Sequence, residues 1–384
     1  MKVLILNYAK QLFEDEDKAV GDERSRMREY GKYLDRLFIV VHSLKRNNFN
    51  AVKISDNVTI IPSKGWNKLS SLYNLMKISS SLCTGHKIDI INVQDPFYMG
   101  AVGVYLKKKF KCKLVTAVLG SNVYSKDWLK ESKLNYLKKV VGKWVLNHSN
   151  FIQVDGSKTE RELKERGIPK EKIFKKVVIP KGLEEFRVGN GEKIRKKFLG
   201  SEFEKILLFV GRIERQKNLK GLLHIMPDII KSNPKILLLI IGEGREKNKS
   251  EKWAKKLRIE RNITFLGSIP FDNLSDYYAA SDIFLLPSNY EGFARSLILA
   301  GVSGKAIVST NVSGASDLIK NGDSGFIVDV GDMNNFKDRI VELLSNKDKL
   351  KEFGKSAEKN ARNLLNYNRM VDSQIKFWQS VCSE

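Results

Sequence analysis

The chemistry-bearing residues of this chain gather around the run Asp282-Ile283-Phe284-Leu285-Leu286-Pro287-Ser288-Asn289-Tyr290-Glu291-Gly292-Phe293. Ile283 to Leu286 read as a short buried strand. A proline-bearing loop then sets the Glu291 carboxylate beside Gly292, and a helix is expected from about Ala294. This order places an acidic side chain and free backbone N–H groups at the carboxyl edge of a parallel sheet, where ligands bind. Three more strand ends in the same half carry matching groups. Gly211-Arg212 allows close backbone approach, and Arg212 and Lys217, five residues apart, can reach one diphosphate. A solvated basic loop accounts for the two cations taken alone. Gly242-Glu243-Gly244 is a tight turn against which a ligand can lie, and Phe265-Leu266-Gly267 ends another strand. The amides of Gly292 and Phe293 face an anion at a helix start. The four pieces together predict a nucleotide-diphosphate site built from backbone amides and two cations.

Apolar runs alternate with amphipathic stretches from end to end, the pattern of parallel sheets covered by helices on both faces. Strands are expected at 3–6, 37–41, 58–60, 88–92, 114–118, 151–154 and 177–179. After the break at Pro180-Lys181-Gly182 a charged segment runs to about Glu204. A second set of strands follows at 206–210, 236–241, 263–266, 283–286, 306–309 and 325–328, with helices such as 219–230 and 251–257 between them. This is an α/β chain of two doubly wound domains, 1–180 and 181–365. The tail 366–384 reads as a helix whose Met370, Phe377 and Trp378 pack back on the first domain.

At 384 residues the chain exceeds one ordinary domain. Cys83, Cys112 and Cys382 form no metal or redox spacing, and His42, His86, His148 and His224 are scattered, so no metal site is expected. The amino terminus reaches Asn7 too soon for a secretory signal, and the longest apolar run, Ile236 to Ile241, is far short of the roughly 20 residues that span a bilayer. A cytoplasmic protein follows, with a peripheral place on the inner membrane face as the other option. The net charge of +24 suits nucleic acid, anionic membranes or phosphorylated ligands. No helix-turn-helix, zinc finger or aromatic RNA-binding strand is visible, which lowers the nucleic-acid reading. Between Ser125 and Val145, Trp128, Leu137, Val140, Val141 and Trp144 recur at helical spacing among lysines, with Lys107, Lys108, Lys109, Lys111 and Lys113 nearby. That pattern fits an anionic membrane surface, and core packing with a solvated lysine face fits it equally.

The ordered motifs GR…RQKN, IIGEG, ITFLG and SDIFLLPSNYEGF resemble those of the retaining glycosyltransferases of family 4, among the group 1 glycosyl transferases. The resemblance implies the GT-B fold, two Rossmann-like domains facing a cleft, with a nucleoside-diphosphate sugar as substrate and no cofactor or metal. It implies that Gly211, Arg212 and Lys217 meet the diphosphate and that Glu291 binds donor-sugar hydroxyls. The Gly292-Phe293-Ala294 backbone would meet phosphate or sugar, with Gly242 and Gly244 beside the donor and Phe265, Leu266 and Gly267 against the base. Glu291, Arg212 and Lys217 would be the catalytic set. The acceptor, a glycan or a lipid-linked sugar of a cell-surface polysaccharide or glycolipid, would meet Asp95, Leu119, Gly120 and Asn122.

Two positions depart from the family pattern. The family has a second glutamate eight positions after the first, and here that position is Leu299, which cannot accept hydrogen bonds from a ribose. Many members have a histidine where this chain has Leu119. The second reading is therefore a catalytically weak or inactive member that binds a sugar nucleotide or a partner. Arg295 reads either as an extra cation facing the donor or as a solvent-facing helix residue. Arg24, Arg26 and Arg28 read either as contacts for an acceptor phosphate or as a solvated helix face. Asp95 and Asp155 sit at strand ends, facing an acceptor or capping the next helix.

Overall fold

The computed structural model describes residues 1–14, 23–120, 125–179, 183, 186 and 189–383. The chain divides into two compact units. One comprises 1–155, 159–181 and 366–384, and the other 156–158 and 182–365.

Unit 1 runs β1 Lys2–Asn7, α1 Glu23–Gly31, β2 Arg36–Val41, β3 Val52–Ser55, β4 Val58–Pro62, α2 Lys68–Gly85, β5 Ile90–Val93 and α3 Tyr98–Phe110. It continues with β6 Lys113–Val118, α4 Lys126–Glu131, α5 Leu134–His148, β7 Phe151–Val154, α6 Ser157–Lys164, which enters unit 1 from Thr159 on, and β8 Ile173–Lys175. Its strands order as β3-β4-β2-β1-β5-β6-β7-β8, all parallel except the antiparallel β3–β4 edge pair. Successive strands are nearly all buried, as a sheet covered on both faces requires. The last strand is at Ile173–Lys175, not at the expected 177–179. Only there does the backbone run in register with β7, Ile152 opposite Ile173. The apolar Val177–Ile179 that suggested a strand packs without a ladder. β3 alternates apolar and polar over only four residues, Val52-Lys53-Ile54-Ser55, with a single one buried, too short a run to announce a strand.

Unit 2 runs α7 Gly191–Phe198, β9 Lys205–Val210, α8 Leu219–Ser232, β10 Ile236–Ile241, α9 Lys247–Lys256, β11 Ile263–Gly267, α10 Phe271–Ala280 and β12 Ile283–Leu286. Then follow α11 Arg295–Val302, β13 Ala306–Thr310, α12 Ala315–Leu318, β14 Phe326–Val328, α13 Met333–Ser345 and α14 Lys347–Leu364. The order β11-β10-β9-β12-β13-β14 is wholly parallel. Its strand sequence reverses direction between β9 and β12, the place where doubly wound sheets open a crevice for ligands. Asp282 fixes that junction. Its carboxylate receives the Ile206 amide at 2.8 Å and the side chains of Lys205 and Arg195 at 3.1 Å.

The final helix, α15 Tyr367–Ser383, belongs to unit 1. Tyr367, Met370, Val371, Ile375, Phe377, Trp378 and Val381 join the core that α1 makes on one face of sheet β1–β8. The opposite face is covered by α2, α3 and α5, through Leu75, Met99, Val102, Leu106 and Val145. No helix among the described residues is long and apolar enough to cross a membrane.

Candidate active site

Two loops meet where unit 2 opens. The one after β9 carries Gly211 to Asn218, and the one after β12 carries Pro287 to Ala294. Backbone and side-chain bonds tie them together. The Asn289 amide donates to the Gln216 carbonyl at 2.8 Å, and the Gln216 amide Nε2 donates to the Tyr290 carbonyl at 2.9 Å. From the next strand, Thr310 Oγ1 donates to the Ser288 carbonyl at 2.6 Å. Gln216 and Thr310 were not singled out from the sequence, since their work is done on backbone carbonyls that no side-chain motif reveals.

This bracing delivers the central contact. Lys217 Nζ donates to Glu291 Oε1 at 2.6 Å, and both residues are buried. Gln216 Nε2 lies 3.5 Å from Glu291 Oε2. The Lys217 stem runs over Gly211, where a Cβ would sit 3.2 Å from Lys217 Cε. Gly211 thus makes room for the lysine. Arg212 is exposed, and no side-chain partner is recorded for it among the described residues. Of the two cations expected at the diphosphate, Lys217 is already committed to Glu291 and Arg212 stands open.

Gly242 and Gly244 answer to the chain itself. A Cβ on Gly242 would lie 1.9 Å from the Gly211 carbonyl oxygen, and one on Gly244 would lie 2.3 Å from that of Ile213. Gly242 also has φ +140°, which side chains rarely adopt. The two glycines let the β10 turn press against the β9 loop, with Ile213 N donating to Glu243 O at 2.8 Å. Phe265, Leu266 and Gly267 end the edge strand β11, half-buried, and the Gly267 carbonyl accepts from the Gly242 amide at 2.8 Å.

Beyond Glu291, the amides of Gly292, Phe293 and Ala294 donate to no group among the described residues. They form the open amino end of α11, whose orphan N–H groups attract anions. The Phe293 ring is seated by Gly314, where a Cβ would stand 2.7 Å from it. Arg295 is exposed at the first turn, and Leu299 is buried on the same helix.

In unit 1 the corresponding reversal lies between β1 and β5, and brings Tyr8 to Asp95. Asp95 Oδ1 accepts the Phe97 amide at 2.6 Å, so the carboxylate caps the entry to α3. Burial pushes the Asp95 carboxyl up to about 6, opposed by the Phe97 amide and the Tyr8 hydroxyl. Burial and Asp95 together push the Tyr8 hydroxyl upward. Leu119 is exposed just past β6, and Gly120 turns there at φ +88°. Asn122 lies outside the described residues, as do the junction residues Pro180, Lys181 and Gly182. Asp155 accepts from Thr159 Oγ1 at 3.4 Å, a capping contact. Arg24 donates to the Glu14 carbonyl and Arg28 to that of Ile54, while Arg26 is buried beside Glu23. The three arginines therefore hold contacts with the chain around α1, Arg26 buried and Arg24 and Arg28 half-buried. His148 Nδ1 contacts the Trp144 carbonyl at 2.8 Å. No group of three His, Cys, Asp or Glu among the described residues could hold a metal ion.

The family model for glycosyl transferases group 1 matches residues 190–360. The match lies within unit 2, so that half of the chain carries the likeness to the group 1 glycosyltransferases. One relative, an uncharacterized glycosyltransferase of Methanocaldococcus jannaschii, is 26% identical over 80% of this chain and 77% of its own length. The alpha-monoglucosyldiacylglycerol synthase of Streptococcus pneumoniae is 25% identical over 58% of this chain and 52% of its own. Among solved structures, sucrose-phosphate synthase from Thermosynechococcus elongatus matches over all of both chains, with TM-score 0.78 and 18% identity. HepE from Anabaena, solved with UDP, gives 0.74 at 17% identity over 99% of this chain and all of that one. Likeness at this identity shows the fold alone, and the fold of this chain is GT-B.

Proposed function

We propose that this chain is a group 1 glycosyltransferase that moves a sugar from a nucleoside diphosphate to a glycan or lipid-linked acceptor, with retention at the anomeric carbon. The observation that carries the reading is the Lys217–Glu291 pair at the unit 2 crevice, flanked by exposed Arg212 and the open amides of 292–294. In this reading the diphosphate lies across those amides and takes Arg212 as counter-ion. Lys217 orients Glu291 toward donor-sugar hydroxyls. The bond from the anomeric carbon to the diphosphate oxygen breaks as the acceptor oxygen bonds the same face. The acceptor proton passes to the departing phosphate oxygen. Arg212, Lys217 and the amides stabilise the charge that grows there without a metal. HepE was solved with UDP-glucose, which favours a uridine donor for the first trial. Asp95, Leu119 and Gly120 of unit 1 are assigned to the acceptor.

Burial of Leu299 favours the second reading in one respect, since an apolar side chain stands where the family carries a ribose-binding carboxylate. The loss of one charge-assisted hydrogen bond weakens ribose binding roughly 10- to 100-fold without touching the reacting carbon. One screen separates the two readings. A rise in melting temperature with particular sugar nucleotides, followed by their consumption with acceptor, supports transfer. Binding without any consumption leaves a sugar-nucleotide-binding protein, and no stabilisation by any nucleotide overturns transfer and leaves only the partner-binding form of the second reading.

A further inference from the structure

The helix layer α2–α3–α5 on one face of unit 1 has an outer surface unlike the rest of the molecule. The three helices pack side by side, α2 on α3 and α3 on α5. They have 18, 13 and 15 residues and carry two, three and three lysines, with no aspartate or glutamate at all. Every other helix longer than eight residues has at least one acid. The same three helices hold nine of the fourteen large apolar residues that are exposed among the described ones. On α5 they form a stripe, Leu137, Val140 and Trp144, exposed by 57%, 65% and 42%. On α2 Leu69 and Tyr73 stand one turn apart, with Trp66 just ahead, under the Lys45 ammonium at 3.7 Å. Trp128, grouped with the stripe at first, belongs to the separate helix α4 and is buried against Phe97.

We propose that the outer face of α2, α3 and α5 lies on an anionic lipid bilayer. Tryptophan, tyrosine and aliphatic side chains enter the headgroup boundary while lysine stems reach along it to lipid phosphates. Two further observations fit a bilayer better than other occupants. A second copy of this chain would set lysine against lysine with no acid to pair them. A nucleic acid would use the lysines but leave the aliphatic stripe of α5 in water. Where α3 and α5 end, a cavity of about 610 Å³ is lined by Lys107, Lys108, Lys113, Lys172 and His148, with Glu171 also on its wall. Lys108 Nζ stands 6.0 Å over the Trp144 ring beside it. The cavity suits one phosphate headgroup drawn out of the surface. This face is independent of what the donor site transfers.

Cosedimentation of the full chain with phosphatidylglycerol vesicles and with phosphatidylcholine vesicles tests the proposal. Binding is expected to the former only. Each lysine of the face changed to glutamine should weaken it roughly fivefold. Val140→Ser with Trp144→Ser should weaken it at least tenfold while the melting temperature stays as in the wild type, since both side chains are exposed. Absence of binding to anionic vesicles overturns the proposal. So does binding that the serine pair leaves unchanged, or equal affinity for a heparin column that the serine pair leaves unaltered, which would reduce the face to a polyanion-binding surface. Donor stabilisation by sugar nucleotides, measured without vesicles, stays as a separate readout.

Discussion

The Lys217–Glu291 contact carries stability and chemistry at once, and the two separate by substitution. Removing Lys217 leaves a buried carboxylate with only Gln216 at 3.5 Å. Lys217→Met should lose about 1–3 kcal/mol in urea unfolding, and adding Glu291→Gln should restore most of it, because the double variant buries no unpaired charge. Transfer should fall roughly 100-fold in Glu291→Gln alone. The Arg212 side chain is exposed and makes no hydrogen bond or ion pair among the described residues, so Arg212→Ala should lower turnover by a similar factor and shift stability by less than about 0.5 kcal/mol. Equal loss of stability in both variants would remove the distinction. Asp95 gives a pH signature in unit 1. Its folded pKa, near 6, lies above the ordinary value of about 3.9. The folded chain therefore holds that proton more tightly, and stability contributed by the protonated form is lost as pH rises from about 4 through 6. Asp95→Asn should raise the melting temperature more at pH 7.5 than at pH 4.

At the scale of elements, strand ends were legible because buried parallel strands are continuous apolar runs. Ile236–Ile241 and Ile283–Leu286 stand where their residues placed them. The pairing of Lys217 with Glu291 was not legible, since 74 residues separate them and only the reversal between β9 and β12 joins them. The glycines of IIGEG were visible as a turn, but their reason was not. Sequence suggested room for a ligand, whereas the neighbour is the Gly211 carbonyl. Two alanine substitutions make that reason measurable. Gly242→Ala forces a Cβ onto a backbone oxygen at 1.9 Å at a φ of +140°. It should lose about 3 kcal/mol or more and displace the β9 loop, lowering nucleotide affinity as well. Gly322→Ala also sits at positive φ, +83°, but meets nothing within 4 Å. It should lose only about 1 kcal/mol and leave nucleotide affinity unchanged.

At the scale of the whole molecule, the chain leaves unit 1 near residue 181 and returns to it at residue 366. The return is visible in the sequence as an apolar helix period after a charged one, with Met370, Phe377 and Trp378 as its mark. Its polar anchor is not. Lys176, outside any regular element, donates to Gln374 Oε1 at 2.7 Å and to Tyr30 Oη at 2.5 Å, all three buried. Trp378 stands edge-on to Tyr30 and donates Nε1 to Asn92 at 3.3 Å. The last helix is therefore part of the first unit's core rather than an appendage. Trp378→Ala should destabilise unit 1 by roughly 3–5 kcal/mol. Deleting residues 366–384 should go further, baring one face of the sheet and taking Gln374 from the Lys176 ammonium. Unit 2 keeps its own core, so the deletion should split one cooperative unfolding transition into two, the earlier one binding a hydrophobic dye. A single unchanged transition in calorimetry would mean that α15 does not complete the first unit, and that its apolar side is covered in some other way.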